Sequence, residues 1–272
     1  MTESSLPPGE PQKIDTTVSH SPRIWNYWLG GKDNYQVDRE VGDQFREVFP
    51  DIVEIARSSR TFLSRAVTYL AAEAGVRQFL DIGTGLPTQD NTHEVAQRIA
   101  PESRIVYVDN DPVVLTHARA LLVSAPEGVT QYIDADLRDP ETILEAAGRT
   151  TLDFGRPVAL MLLNILGHVS DIEEARSIVK RLTDALPSGS YLAIADGTNV
   201  VRGPEFEAAI AIWNASGSVP YNLRSPEQIS GFFDGLELVE PGVVSCPSWR
   251  PDPHESQFVR EVDEFCGLGR KA

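Results

Sequence analysis

The sequence has few cysteines and no long hydrophobic segment. Cys246 and Cys266 are its only cysteines among 272 residues, too few for a disulfide framework, so we expect a reducing compartment. No apolar run approaches the roughly 18 residues that a membrane-spanning helix needs. Residues 1–20 lack the apolar core of a signal peptide. These absences predict a cytoplasmic protein that does not associate with membranes.

Basic residues are also scarce. The chain has 24 Lys and Arg residues against 40 Asp and Glu residues, a net charge of -16. An acidic chain without a basic patch repels polyanions, which argues against DNA, RNA and acidic membranes as partners. The five histidines are scattered without the spacing of a metal-binding helix, so the sequence predicts no metal site. The expected partner is a small molecule.

A glycine turn after an apolar strand is the strongest local signal. Residues 78–82 predict the strand, and Gly83 and Gly85 follow it. Glycine permits positive φ angles and lets a ligand reach the bare backbone. Asp81 places a carboxylate at the carboxyl end of this strand, where open α/β sheets bind their ligands. A tight turn without a ligand explains Gly-x-Gly alone equally well.

The next predicted strand favours the ligand interpretation. Residues 104–108 are rich in β-branched side chains and are followed by Asp109, 24 residues after Gly85. That spacing is close to the roughly 20 residues expected between a glycine turn and a ribose-binding carboxylate.

The loop after Gly85 distinguishes two cofactor classes. A dinucleotide needs a helix N-terminus against its pyrophosphate. Here the first helix start is at residues 91–94, where Asn91 is a predicted N-cap and Glu94 follows three residues later. Asp81 also sits poorly beside a pyrophosphate, whereas S-adenosylmethionine has no phosphate and carries an ammonium and a sulfonium. The loop therefore favours S-adenosylmethionine.

The predicted elements divide the chain into three parts. Residues 1–20, rich in proline and small polar residues, predict a disordered tail. Residues 21–75 predict an N-terminal helical cap. From residue 76 to residue 272 strands and helices alternate, which predicts a Rossmann-like α/β domain with a parallel sheet. An insertion at about residues 200–235 is expected to lie over the carboxyl edge of that sheet.

The start of the cap is rich in aromatic residues. Ser21 and Pro22 predict a short helix with a buried apolar face. Its polar and aromatic residues are expected to face a binding site; they are Arg23, Tyr27, Asn34 and Tyr35. Arg60, on the third predicted helix, could reach a ligand carboxylate, but a solvated arginine is the favoured interpretation.

Several stretches together resemble one family. The glycine turn, the acid-ending second strand and Asp136 with Leu137 resemble class I S-adenosylmethionine-dependent methyltransferases. More narrowly, the chain is similar to the DUF574 family, a group classed as S-adenosyl methyltransferases, in residues 23–35, 79–88, 107–112 and 164–168. The resemblance runs from about residue 20 to the C-terminus. It implies a mostly parallel sheet of seven strands, the last antiparallel. One departure is Ser59, where the family tends to have Asn before the arginine of the third helix.

The resemblance also implies roles for individual residues. Asp81 would balance the ammonium of S-adenosylmethionine, and the backbone of Gly83, Thr84 and Gly85 would hold its methionine portion. Asp109 would accept both ribose hydroxyls, since a carboxylate has two acceptor oxygens. The other expected cofactor-binding residues are Arg23 and Tyr27 in the cap, Asn110, Asp136 and Leu137 around the adenine, and Asn164 near the sulfonium or the acceptor. Asp134 and Asp139 are neighbours of Asp136, and any of the three could be only a cap or a turn residue.

Methyl transfer is an in-line displacement at an activated carbon, so the enzyme has to align the acceptor and exclude water. His168 is the expected general base if one is used, with Tyr35 as a second catalytic candidate; a structural loop histidine is the alternative for His168. The sequence thus predicts an S-adenosylmethionine-dependent methyltransferase with a small-molecule acceptor. The alternatives are a non-catalytic regulatory protein that binds S-adenosylmethionine or a nucleoside, and an NAD-dependent oxidoreductase.

Overall fold

The structure, a computed structural model, describes residues 15–88, 90–121, 124–216, 218–252, 254 and 259–272. Its strands are β1 (Gln78–Ile82), β2 (Arg104–Asp109), β3 (Val129–Asp134), β4 (Ala159–Leu163), β5 (Tyr191–Gly197), β6 (Glu237–Leu238), β7 (Val244–Ser245) and β8 (Glu264–Arg270). Its α-helices are α1 (Ser21–Trp28), α2 (Gln36–Val48), α3 (Ile52–Thr68), α4 (Thr92–Ile99), α5 (Pro112–Leu121), α6 (Pro140–Ala147), α7 (Ile172–Asp184), α8 (Gly203–Ala215) and α9 (Pro226–Ser230). No helix in these ranges is both long and apolar enough to cross a membrane.

One sheet organises the molecule. The strand order is β3-β2-β1-β4-β5-β8-β6, and β7 also pairs with β8. Strands β1 to β5 are parallel, whereas β8 is antiparallel to β5. The mostly parallel sheet with an antiparallel last strand is thus confirmed. The chain reverses its direction of winding between β1 and β4, and such a switch point is where open α/β sheets bind ligands.

The end of the sheet differs from the prediction. Eight strands are present in the described residues, not seven, because the two-residue β7 is added to β8. The last strand is β8. Gly267 and Gly269 lower the β propensity of β8. Both are needed there because a Cβ would come within 3.1 and 2.8 Å of the Phe233 ring, respectively.

Helix starts follow the capping signals of the sequence closely. Asn91 and Glu94 form the expected reciprocal cap of α4, and Ser225 and Gln228 form that of α9. Helix α7 begins one residue later than its signal indicates, because the side chain of Asp171 accepts the cap hydrogen bond. These caps satisfy backbone N–H groups that lack an intrahelical partner.

Both faces of the sheet are covered. Leu80 and Ile82 of β1 lie in one buried cluster with side chains of α6 and α7. Phe79 lies in a second cluster with side chains of α3 and α4. Burial on both faces explains why β4 is apolar along its whole length.

The cap and the insertion share a third buried cluster. Trp28 of α1 and Phe45 of α2 pack against Phe206 and Trp213 of α8. The Trp28 and Trp213 ring centroids are 6.0 Å apart, and those of Phe45 and Trp213 are 6.2 Å apart. The cap is therefore fixed to the insertion after β5, and the two together stand over the sheet.

A buried ion pair holds the beginning of the cap. Arg23 is fully buried, and its Nε lies 3.0 Å from an oxygen of Asp38, which is also fully buried. Arg23 also donates to the backbone carbonyls of Asp15 and Val18. Residues 15–20, predicted as part of a disordered tail, are thus bound to α1; residues 1–14 lie outside the described part of the chain. Arg23 does not face a binding site, because its guanidinium is used in these contacts.

We predict that Asp38→Ala lowers the free energy of unfolding by about 3–5 kcal/mol, because it leaves the buried charge of Arg23 without its partner. Urea denaturation measures this change. Arg46→Ala is the matched control, since its pair with Asp43 is half-exposed and should contribute less than about 1 kcal/mol. Equal effects of the two substitutions would contradict the structural role of the buried pair.

Candidate active site

A single cavity of about 520 Å³ lies at the carboxyl edge of the parallel strands, between the sheet, the cap and α8. Most of the expected site residues line it: Asp81, Gly83, Thr84, Gly85, Asp109, Asn110, Asp136, Leu137, Asn164 and His168. These residues come from four different strand ends. The parallel arrangement of β1 to β4 brings them together.

The glycine turn forms the floor of the cavity. Gly83 and Gly85 both have positive φ angles, 76° and 63°. A Cβ on Gly83 would come within 2.5 Å of the Ile165 side chain, so this glycine is required for packing. A Cβ on Gly85 would meet nothing within 4 Å, so Gly85 presents bare backbone to open space. Of the two glycines, only Gly85 therefore leaves its backbone accessible to a ligand.

Asp81 is a buried carboxylate at the end of β1. The hydroxyl of Thr92 donates to its Oδ2 at 2.6 Å. Burial raises the pKa of Asp81 to about 6, while the Thr92 hydrogen bond and the nearby charge of Arg60 act in the opposite direction. Any cation that enters the cavity therefore stabilises the ionised form of Asp81.

Asp109 is the buried last residue of β2, two positions beyond Tyr107, the residue that pairs with Asp81. The two oxygens of Asp109 accept hydrogen bonds from the backbone N–H groups of Gly85, at 3.0 Å, and Asp111, at 2.9 Å. Burial raises its pKa to about 6, and the two backbone hydrogen bonds oppose this shift. Each oxygen of a carboxylate has two lone pairs, so each retains one for a ligand hydroxyl.

The N-terminus of α4 is already occupied by protein groups. The Asn91 side chain accepts from the third residue of the helix, and the Glu94 side chain accepts from the Asn91 backbone. The backbone N–H of His93 donates to the hydroxyl of Tyr107 at 2.9 Å. A pyrophosphate would find these donors in use and Asp81 beside them, so the geometry does not suit a dinucleotide.

Polar groups at the ends of β2 and β3 form the far end of the cavity. Asn110 Nδ2 donates to Asp136 Oδ2 at 3.2 Å, and the backbone N–H of Arg138 donates to Asp136 Oδ1 at 2.8 Å. Leu137 is buried beside them. Asp136 lines the cavity. Asp139, a neighbouring acid that competes with Asp136 for the cofactor role, instead caps α6 by accepting from the backbone N–H of Thr142.

Asn164 follows β4 with a φ of 57°, a left-handed conformation that asparagine tolerates better than most residues. Its Nδ2 donates to Ser59 Oγ at 2.8 Å and to Glu264 Oε1 at 2.6 Å. Glu264 is fully buried in β8, and burial raises its pKa to about 7. With both amide hydrogens donated, Asn164 has only its Oδ1 available as an acceptor.

His168 lies beside Tyr221 at the ends of β4 and β5. Its Nδ1 is 2.8 Å from the carbonyl oxygen of Pro220. A carbonyl only accepts, so Nδ1 carries the proton and Nε2 has the lone pair. Burial lowers the pKa of His168, which keeps the imidazole neutral. Tyr221 donates to the buried carboxylate of Asp196, and its ring packs on the bare backbone of Gly167.

Comparisons with known proteins agree with this geometry. A family model described as S-adenosyl methyltransferase matches residues 8–272. The chain belongs to the S-adenosyl methyltransferase family. Its reaction class is therefore S-adenosylmethionine-dependent methyl transfer.

Two solved structures are similar over nearly the whole of this methyltransferase. A DUF574 family protein from Streptomyces avermitilis MA-4680 has 47% identity and a TM-score of 0.91, with 96% of this chain and 100% of that chain covered. A protein from Thermobifida fusca YX that was assigned as a methyltransferase has 41% identity and a TM-score of 0.86, with 94% and 96% covered. No curated protein matches the chain.

The four cap residues of this methyltransferase that were expected to face the site lie away from the cavity lining. Asn34 Nδ2 donates to Asn26 Oδ1 at 3.0 Å. Arg23 is used in the buried pair described above. The Tyr27 hydroxyl donates to Asp43 at 2.8 Å on the surface of the cap. Tyr35 is partly exposed under the Arg23 guanidinium, 5.0 Å from its ring centroid. The side chains of α1 and α2 that do reach the cavity are mainly apolar, so the helix orientation is opposite to the prediction.

Arg60 is not the solvated residue that the sequence favoured. The structure places it in the cavity lining, half-buried, with Nη2 donating to the Asp90 carbonyl at 2.8 Å and its charge acting on Asp81. Ser58 and Ser59, which precede Arg60, are buried. These two small residues were the sequence signal that this side of α3 packs against the protein. Glu264 was missed entirely because no local pattern connects a single acid in β8 with the end of β4.

We predict that Asp81→Asn raises the free energy of unfolding of the ligand-free protein by about 2–3 kcal/mol at pH 8. The folded pKa of about 6 exceeds the ordinary 3.8, so ionised Asp81 destabilises the fold above pH 6. The difference from wild type should shrink as the pH falls through 6 and disappear below about 4, where the carboxyl is protonated in both states.

Urea denaturation between pH 4 and pH 8 measures this effect. Asp134→Asn, the same change at an exposed strand end, should leave the stability unchanged at every pH. A less stable Asp81→Asn protein at pH 8 would show that ionised Asp81 contributes favourably to the fold.

Proposed function

We propose that this methyltransferase binds S-adenosylmethionine across the ends of β1, β2 and β3 and transfers its methyl group to a small-molecule acceptor. The observation that carries the proposal is the pair of buried carboxylates, Asp81 and Asp109, which line one cavity with the bare backbone of Gly85 between them. Asp81 can pair with a cation, and Asp109 can accept from two hydroxyls. These two properties match the amino-acid end and the ribose end of S-adenosylmethionine.

The amino-acid end of the ligand has a matched pair of charges. Asp81 accepts hydrogen bonds from the ammonium group. Arg60, whose charge already acts on Asp81, donates to the carboxylate of the ligand. This arrangement compensates both charges of the zwitterion in a cavity where uncompensated charge is costly.

The nucleoside end is held by hydrogen bonds and by apolar contact. Asp109 accepts one ribose hydroxyl at each oxygen, on the lone pair that the Gly85 and Asp111 N–H groups leave free. Asp136 accepts from the adenine amino group, Asn110 lies at the ring edge, and Leu137 packs on the ring face.

The reacting centre lies at the ends of β4 and β5. Bound S-adenosylmethionine supplies a methyl group that is activated by the positive sulfur. Asn164 Oδ1 faces this region as an acceptor, since Ser59 and Glu264 fix the amide. His168 Nε2 takes the proton of the acceptor, because its neutral tautomer is held by Pro220. Tyr35 has no role here, since it lies outside the cavity.

A purely regulatory binding protein is a weaker interpretation. Such a protein needs no space beyond the ligand, whereas this cavity continues from His168 to the cap and α8. That space supports turnover with a second substrate.

Titration calorimetry with S-adenosylmethionine, S-adenosylhomocysteine and NAD tests the proposal. We expect the two sulfur ligands to bind and NAD not to bind. Asp109→Ala should weaken S-adenosylhomocysteine about a hundredfold, because two hydrogen bonds to a charged acceptor are lost. Asp134→Ala is the control at an exposed strand end and should bind like wild type. Binding of NAD alone, or unchanged affinity in Asp109→Ala, would reject the proposed site.

The affinity for S-adenosylhomocysteine should also fall at acidic pH. Asp81 and Asp109 both have a pKa of about 6 and are required in their ionised forms. Each protonation should reduce the affinity by about tenfold for every pH unit below 6, while the affinity should be constant from pH 7 to pH 8. In Asp81→Asn the dependence should be about half as steep. A flat profile down to pH 5 would mean that neither carboxylate contacts the ligand.

A further inference from the structure

The cavity has a second part that the proposed cofactor residues do not reach. It lies between α1 and α8 and is lined by large apolar side chains. We call this part the acceptor chamber and define it by Trp25, Trp28, Leu29, Phe206, Ile210 and Trp213. The chamber and the proposed cofactor site are continuous, and Asn164, His168 and Tyr221 lie in the same lining.

Charge is distributed unevenly over the cavity. Its lining residues with carboxyl, guanidinium or imidazole side chains are His20, Arg60, Asp81, Asp109, Asp111, Asp136, Arg138 and His168. None of these belongs to α8 or to the lining residues between 21 and 55. Among the described residues, the acceptor chamber therefore offers no charged group with which an ionised ligand could pair.

Two of the three tryptophans of the chamber use their ring N–H groups inside the protein. Trp28 Nε1 donates to the carbonyl of Gly42 at 3.2 Å, and Trp213 Nε1 donates to the carbonyl of Val219 at 2.9 Å. Trp28 and Trp213 therefore contribute ring surface and no available donor. Ring surface of this kind favours flat apolar ligands, which it binds by burial and by stacked or edge contacts.

The polar side chains at the margin of the chamber are also bonded. Ser19 Oγ and Ser218 Oγ are 3.0 Å apart and share a hydrogen bond. Asn26 Oδ1 accepts from the backbone N–H of Asp33 at 3.0 Å. Ser19 thereby joins the segment before α1 to the loop after α8.

We propose that the methyl acceptor is an uncharged aromatic hydroxyl compound, whose ring lies in the acceptor chamber and whose hydroxyl faces His168. This inference rests on the proposed function, because it assigns the second substrate of the same reaction. An anionic ring compound would lose its hydration in the chamber without gaining a partner. A protonated amine has no lone pair with which to attack the methyl carbon.

The reaction balances with the groups present. The hydroxyl oxygen of the acceptor forms a bond to the methyl carbon as the carbon–sulfur bond breaks, and the electron pair of that bond stays on sulfur. The hydroxyl proton goes to Nε2 of His168 and from there to solvent. The products are a methyl ether and S-adenosylhomocysteine, and no oxidant or metal is needed.

Calorimetric titration of three ring compounds of similar size tests the inference. The protein is first saturated with S-adenosylhomocysteine at pH 7.5 and then titrated with 2-naphthol, 2-naphthoate or 2-naphthylmethylammonium. We expect 2-naphthol to bind at least about tenfold more tightly than either charged compound. Equal or tighter binding of a charged compound, or no binding of 2-naphthol, would overturn the acceptor assignment.

The order of addition separates this failure from failure of the proposed function. If S-adenosylhomocysteine itself does not bind, the proposed function and the acceptor assignment both fall. If it binds and the neutral compound is not preferred, only the acceptor assignment falls.

A matched pair of variants locates the ring compound. Ile210→Lys places a cation in the chamber, so it should weaken 2-naphthol about tenfold and reverse the preference toward 2-naphthoate. Ala211→Lys adds the same charge one residue later, at an exposed position of α8, and should change neither affinity. Retained S-adenosylhomocysteine binding verifies folding of both variants. Unchanged 2-naphthol binding in folded Ile210→Lys would show that the compound lies elsewhere, and the wild-type series decides the acceptor class even if this variant does not fold.

Discussion

The burial of two carboxylates at adjacent strand ends is the constraint on which the rest of this site depends. Asp81 and Asp109 lie at the carboxyl edge of the sheet, and burial raises the pKa of each to about 6. The fold compensates them only in part, with one hydroxyl from Thr92, two backbone N–H groups and the nearby Arg60. A site that is incompletely compensated in the free protein gains most from a ligand that supplies a cation and hydroxyl donors.

The cap and the insertion after β5 complete the cavity. They have one shared aromatic cluster, so neither could form its buried surface alone. The buried pair of Arg23 and Asp38 attaches the segment before α1 to this cluster. The two sides of the cavity therefore differ in their chemistry. Charged groups line the sheet side of the cavity, and ring surface lines the side toward α1 and α8. The proposed zwitterionic cofactor and the proposed uncharged acceptor would occupy these two sides respectively.

Local signals in the sequence were sufficient for the parallel strands β1 to β5 and for most of the residues that were expected to line a cavity. The glycine turn, the acids at the ends of β1 and β2, and the caps of α4 and α9 all depend on neighbours within a few residues. The cap helices were assigned correctly as helices, but the direction of their side chains was not. Arg23 and Tyr27 were expected at the site and are bonded to α2, whereas Arg60 was expected in solvent and lines the cavity.

By itself, the sequence determined the class of fold, the methyltransferase family and the edge of the sheet that carries the cavity. The physical reason is that strand period, glycine turns and capping act over short distances along the chain. Only the tertiary structure decided which face of each cap helix looks inward, which glycine of the turn meets open space, and that Glu264 from the last strand fixes Asn164. Those features depend on the packing of segments up to about 240 residues apart, where the choice between two helix faces is made by partners that no local pattern identifies.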